Sequence, residues 1–294
     1  MSKPFRKPLN KKAISQKFSA QKTTVPKPQL HKKPSQGFSR NPRGPRESDS
    51  SQVSTKHFRA VVGKHAIAEA LKVSVKKIKL AYLRAGWESS QDLRELSDEL
   101  KRLKIQNEVR PAGFFDQYYS SAQGAVLFID GRPEMDMHAL ANKEKSILVI
   151  LDGIEDPHNL GAILRSSWLM GIDAIVTTVE GSVGLSPAVH KVACGGVEHV
   201  PVIEVSNFNG LVNDLKKMGY WFFGLSHKAK NTLFNTRLQD KIVWVIGSEE
   251  KGLRSTTEKF CDELVAIPQV SASASYNASV AAAMALLETK RQQQ

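Results

Sequence analysis

The side chains best suited to chemistry in this sequence sit in three short stretches, each just after an apolar run. In the first, Leu151–Ser166 (LDGIEDPHNLGAILRS), Asp156 followed by Pro157 has the form of a helix start: a side-chain acceptor at the cap, then a residue whose φ is already helical. That puts Asn159 in the first turn and Arg165 six residues on, about one and two-thirds turns later, so the amide and the guanidinium leave the helix in different directions. A capped helix with a surface arginine has the same signature. The second stretch, Ile246–Arg254 (IGSEEKGLR), brackets Glu249 and its polar neighbours with Gly247 and Gly252. No Lys-Ser/Thr pair follows the second glycine, and no G-x-G-x-x-G turn opens a helix, which disfavours triphosphate and dinucleotide binding. What remains is a glycine loop whose backbone approaches a ligand closely, or a plain turn. The third, Ile267–Arg291, runs from a strand end at Pro268 through small polar residues into an Ala-rich helix, with Ser275 and Asn277 as cap or first-turn candidates. A loop-capped terminal helix reads the same way.

The elements that must position these stretches are apolar runs alternating with helical spacing from about residue 146 onward. The runs are Ile147–Leu151, Ala174–Val179, Val200–Val205, Tyr220–Leu225, Ile242–Gly247 and Leu264–Pro268; helical stretches lie near 159–170, 208–218, 254–260 and 277–291. This alternation predicts an α/β fold, a mostly parallel sheet with helices on both faces. Ligands in such sheets bind beyond the carboxyl ends of the strands, where all three stretches begin. A smaller α/β domain is expected over 58–131: a helix over Val62–Leu71, a strand at Ile78–Leu83, a charged amphipathic helix over Leu93–Leu103 and a buried strand at Ala125–Ile129. A polar linker is expected over 132–145, and the larger domain over 146–294.

The net charge of +13 points to nucleic acid, but its location decides what it means. Residues 1–57 hold 14 Lys/Arg against 2 Asp/Glu, whereas residues 58–294 hold 28 against 27. The first 57 residues also carry 7 of the 13 prolines and neither Trp nor Tyr, so the segment reads as a disordered basic tail attracted to phosphates without sequence preference, or as a solubilising tail. The two cysteines, Cys194 and Cys261, lack metal-ligand spacing and read as buried free thiols in a reducing compartment. With no secretory h-region and no membrane-length apolar run, the expected location is cytoplasmic, with no membrane and no metal partner.

Taken together, in order and spacing, the three stretches resemble the signature motifs of the SpoU/TrmH family of RNA ribose 2′-O-methyltransferases, within the SPOUT superfamily. Motif one stands here as Asp156, Pro157, Asn159, Gly161 and Arg165; motif two as Gly247, Ser248, Glu249 and Gly252; motif three as Ile267, Pro268, Ser275, Tyr276, Asn277, Ser279 and Ala281. The segment Lys191–Pro201 also resembles one found between the first two motifs. The sequence departs from the family pattern at Glu250, where glycine is common, and at Tyr276, where leucine is. The stretch Val61–Leu71, with the pattern to about 131, resembles an L30e-like RNA-binding domain.

This resemblance implies a trefoil-knotted catalytic domain, a homodimer with the active site near the subunit interface, and tRNA or rRNA as substrate. It implies S-adenosylmethionine as cofactor, held by Gly247, Ile267 and Tyr276. It further implies that Arg165 orients the ribose and stabilises the developing alkoxide, that Asn159 and Glu249 position the RNA, and that Ser275 and Asn277 order motif three. A guanidinium stays protonated in a protein, so Arg165 is read as an electrostatic partner and not as a base. The competing reading is an RNA-binding ribosome-assembly factor that keeps the fold without efficient catalysis.

Overall fold

Two sheets carry the chain. The computed structural model describes residues 57–271 and 274–294; the tail expected over 1–57 lies outside the described residues but for His57. The first sheet is built from β1 (Arg59–Val62), β2 (Ile78–Arg84), β3 (Asn107–Arg110) and β4 (Ala125–Ile129), in the order β1-β4-β2-β3, with β2 and β3 parallel and the other pairs antiparallel. Helices α1 (Lys64–Val73) and α2 (Gln91–Arg102) cover one face through Ile67, Ala70 and Leu100, and α3 (Ala112–Tyr118) covers the other through Phe115. The helix expected from Val62 begins later: Val61 and Val62 belong to β1, and Gly63, at φ +95°, breaks the strand before α1 starts.

The expected linker contains a short helix, α4 (Met137–Asn142). Asp136 caps it, accepting from the backbone N–H groups of His138 and Ala139 at 2.9 and 3.1 Å, and Leu140 is buried.

The second sheet contains β5 (Ser146–Asp152), β6 (Ala174–Thr178), β7 (Val202–Val205), β8 (Trp221–Leu225), β9 (Asn231–Thr232), β10 (Lys241–Gly247) and β11 (Glu263–Ala266). Its order is β7-β6-β5-β10-β8-β11-β9, and every pairing is parallel. The central strands β5, β6 and β10 are buried on both faces, which is why they read as continuous apolar runs. Along β5, Ile147, Val149 and Leu151 pack on one side with α5 (Pro157–Leu169), α6 (Pro187–Ala193), α7 (Gly196–His199) and α10 (Ala278–Gln293). Leu148 and Ile150 pack on the other with α4 and α8 (Asn209–Lys217). The helix expected near 254–260 is shorter, α9 (Ser255–Glu258). The chain leaves β5 toward β6 and β7 on one side and returns to the other, so the strand order reverses between β5 and β10. That reversal is where an open parallel sheet forms a crevice.

The small sheet is fastened to the large one by polar contacts at α7. Arg59 of β1 donates from both terminal nitrogens to Glu198 at 2.8 and 3.1 Å, and Ser74 donates to the same carboxylate at 2.8 Å. Next to them His199 stacks on Trp168 of α5, ring centroids 4.3 Å apart, and its Nε2 lies 3.1 Å from Glu69 of α1. Among the described residues no helix is long and apolar enough to cross a membrane. Both cysteines are free, and both are partly exposed instead of buried as expected.

Candidate active site

The local sequence begins each part of the site as its cap residues dictate. Asp156 caps α5, accepting from His158 N–H at 2.9 Å with Pro157 at the first helical position, and this sets Asn159, 6% exposed, in the first turn. Asn277 caps α10: its Oδ1 accepts from Ser279 N–H at 2.9 Å, Val280 N–H at 3.4 Å and the Ser279 hydroxyl at 2.6 Å. Ser275, the other cap candidate, lines the cavity described below instead.

The second stretch folds back on itself. Gly252, at φ +66°, donates from its N–H to Ser248 O at 2.9 Å, closing a tight loop after β10. A Cβ on Gly247 would stand 2.1 Å from the carbonyl carbon of Gly252, so the loop closes only over a bare α-carbon. Glu250 is not among the residues with positive φ, so this backbone does not require the glycine that the family resemblance leads one to expect there.

These three stretches meet at Glu249. Its Oε1 accepts from Asn159 Nδ2 at 3.1 Å, from Ala278 N–H at 3.3 Å and from Asn277 Nδ2, and Asn277 Nδ2 also donates to Asn159 Oδ1 at 2.9 Å. One carboxylate oxygen therefore ties motif one, motif two and the start of the C-terminal helix together.

Beside this knot of hydrogen bonds a cavity of about 500 Å³ opens at the carboxyl ends of β8, β10 and β11. Gly247, Ile267, Ser275 and Tyr276 line it, together with the apolar Leu225, Ile246, Leu253, Val265, Ala278 and Ala281. Tyr276 donates from its hydroxyl to Pro268 O at 3.1 Å and ties the start of α10 back to the end of the chain segment leaving β11, a task leucine could not perform. Glu249, Glu250, Glu258, Lys228 and Lys251 supply the charges of the lining.

The region from 146 to 287 matches the SpoU rRNA Methylase family model. Over 240 residues the chain is 38% identical to the 23S rRNA (guanosine-2′-O-)-methyltransferase RlmB of Neisseria meningitidis, covering 80% of this chain and 95% of that protein. The RlmB of Vibrio cholerae is 32% identical over 238 residues, 79% of this chain and 96% of the relative.

The chain belongs to the SpoU rRNA methylase family.

Among solved structures, the SpoU methyltransferase AviRb of Streptomyces viridochromogenes, in complex with the cofactor AdoMet, shares the fold at a TM-score of 0.71 and 20% identity, over 81% of this chain and 91% of that one. The donor of this SpoU protein is S-adenosylmethionine, and the cavity fits it. The volume lies within the usual range for a small-ligand site, the apolar side chains suit an adenine ring and a thioether chain, and three carboxylates suit a sulfonium. Gly247, Ile267 and Tyr276, expected from the sequence to hold it, all line this cavity.

Arg165 stands apart from this cluster. It is exposed on α5, does not line the cavity, and contacts Cys194 Sγ at 3.6 Å from Nη1. The site residues thus form one group of Asn159, Glu249 and Asn277, a second of Gly247, Ile267, Ser275 and Tyr276 adjoining it, and a lone guanidinium.

Two charged neighbours of the cavity, Asp152 and Arg254, escape a sequence reading. Asp152, at the end of β5 and register partner of Gly247, has a fully buried side chain; its Oδ2 accepts from Arg254 N–H at 2.8 Å and its Oδ1 lies 2.8 Å from Arg254 Nε. The signal was a charged residue ending an otherwise apolar strand, which elsewhere marks only a strand end.

Proposed function

We propose that this SpoU protein methylates the 2′-hydroxyl of a guanosine in 23S ribosomal RNA. The reaction class and the donor come with the family; the base and the RNA follow the relatives named RlmB, two of which align with about four-fifths of this chain. The observation that carries the reading is the convergence on Glu249 Oε1 of donors from Asn159, Asn277 and Ala278, beside a cavity of cofactor size.

The cofactor supplies an electrophilic methyl group on a sulfonium. A ribose hydroxyl is a weak nucleophile at neutral pH and must lose its proton as the bond forms. In this reading Arg165 holds the ribose and its neighbouring phosphate and stabilises the developing alkoxide, while a phosphate oxygen or water takes the proton. Asn159 and Glu249 hold the RNA, with Ser275 and Asn277 keeping the third stretch ordered around it. Alignment of oxygen and methyl supplies much of the remaining acceleration.

Because Arg165 is outside the cavity of its own chain, the site is completed by Arg165 of a second copy in a homodimer. Val280 and Leu287, one heptad apart on α10 and 43% and 63% exposed, support such a pairing. The trefoil knot, an L30e-like role for the region 58–131, the linker 132–145 and the catalytic domain 146–294 belong to the same proposal. The packing of α10 against both α5 and β10 supports the first, and the helix-covered four-stranded sheet the second.

The test is a map of 2′-O-methyl sites in 23S RNA from cells with and without the gene, together with methyl transfer by the purified protein to an unmodified 23S transcript. Loss of one guanosine methylation, restored in vitro, is expected. An unchanged map and no transfer would leave the assembly-factor reading in its place.

A further inference from the structure

The folded part of the chain is close to neutral, with 28 Lys/Arg against 27 Asp/Glu over residues 58–294, so a hold on the RNA backbone near the reacting ribose depends on individual cations in particular places. Arg254 is such a cation. Its Nε forms an ion pair at 2.8 Å with Oδ1 of Asp152, whose side chain is wholly excluded from solvent and whose Oδ1 has no hydrogen-bond partner among the described residues, while Oδ2 accepts from the Arg254 backbone N–H. The guanidinium itself is half exposed, and among the described residues neither Nη1 nor Nη2 has an acceptor. Burying a carboxylate is costly unless it is paired, so the buried charge of Asp152 keeps the guanidinium at this place in the fold.

The surroundings of that fork are bare backbone. Gly153 and Gly181 both hold positive φ, and a Cβ on either would lie 3.8 Å from Arg254 Nη2. The loops they belong to are joined by a bond from Val183 N–H to Ile154 O at 2.9 Å. The place is the crevice at the reversal of strand order: Asp152 ends β5 opposite Gly247, and Leu253, the residue before Arg254, lines the cavity while Arg254 does not. A guanidinium held at Nε by an ion pair, with its Nη1/Nη2 edge free among the described residues, beside the cavity but outside it, matches a phosphodiester two-pronged and does not match the cofactor.

We propose that Arg254 is a backbone anchor that holds a phosphodiester of the RNA flanking the methylated nucleotide, with Asp152 as the residue that positions it. This rests on the proposed RNA methylation, and binding can be read without turnover. The probe is an unmodified 23S transcript, with affinity measured between 50 and 200 mM salt and cofactor affinity measured by calorimetry on the same preparations.

For Arg254→Gln we expect RNA affinity to fall at least about tenfold, the slope of log affinity against log salt to shrink by roughly 0.7–0.9, the loss of one phosphate contact, and S-adenosylmethionine affinity to stay within about twofold. Arg254→Lys, which keeps the charge without the fork, should keep the slope and recover part of the affinity. Since Arg254→Gln strands a buried carboxylate, the double variant Asp152→Asn/Arg254→Gln separates structure from binding: its melting temperature should return toward wild type while its RNA affinity stays low. A double variant that binds the transcript with wild-type affinity and slope overturns the anchor and leaves Arg254 as a counter-ion only. A wild-type protein that binds the transcript without methylating it overturns the proposed function, and the slope of Arg254→Gln still decides the anchor.

Discussion

Asn277 donates from Nδ2 to Asn159 Oδ1 at 2.9 Å across 118 residues of sequence, while its own Oδ1 caps the C-terminal helix. The two ends of one amide thus do different work, and the work can be separated. Asn277→Ser keeps a capping oxygen and loses both amide donations, so the melting temperature should move little while methyl transfer falls at least about tenfold. Asn277→Ala loses the cap as well and should cost about 1 kcal/mol of stability besides. Full transfer by Asn277→Ser would reduce the residue to a helix cap.

Gly247 offers a sharper test of the glycine loop. Its α-carbon faces Gly252 so closely that a methyl group would stand 2.1 Å from backbone carbon, and backbone cannot swing aside as a long side chain does. Gly247→Ala should therefore displace the loop Ser248–Gly252 and with it the wall of the cavity. Calorimetry should show S-adenosylmethionine binding weakened at least about tenfold. Unaltered binding would mean that the loop does not frame the cofactor.

The large sheet was legible because parallel strands buried on both faces are continuous apolar runs, and β5, β6, β8 and β10 fall where those runs stand. The short β1, β3 and β9 were not, since edge strands of two to four residues are too short to show a period. Asn159, Glu249 and Asn277 were found through motif spacing, yet nothing in the spacing says that all three converge on one oxygen. Arg254 and Asp152 were missed because an ion pair across 102 residues exists only after β5 and β10 are in register. The pairing of Arg59 with Glu198, 139 residues apart, is hidden for the same reason.

Arg165 lies outside the cavity of its own chain, so the proposed dimer makes a prediction about mixtures. Arg165→Ala and Glu249→Ala should each be inactive alone, because every site of either homodimer lacks one member. Heterodimers formed by unfolding and refolding the two together contain one site with both wild-type residues if Arg165 serves the partner. Activity should then return to about a quarter of wild type, half the chains pairing unlike and half their sites being whole. If Arg165 served its own chain, each heterodimer site would carry one lesion and no activity would return.

Acid should loosen the joint between the two sheets. His190 is 1% exposed and its Nε2 has no partner among the described residues. Burial, with a smaller push from Arg59 against an opposing pull from Glu198, lowers its pKa from 6.5 to about 4. A group whose folded pKa lies below its unfolded one favours the unfolded chain as protons are added, so the stability that neutral His190 preserves is complete above about pH 6.5 and lost on the way down to about 4. The size is of order 3 kcal/mol. For Glu198, burial alone would raise the pKa, but hydrogen bonds from Arg59 and Ser74 outweigh it and lower it, so its contribution is lost at the acid end, as pH falls through its depressed folded value. Thermal unfolding followed from pH 7 to pH 4.5 should therefore show a steep fall for the wild type. His190→Gln should start lower at pH 7 and descend less. Parallel curves for the two proteins would show that the buried imidazole has no part in acid unfolding.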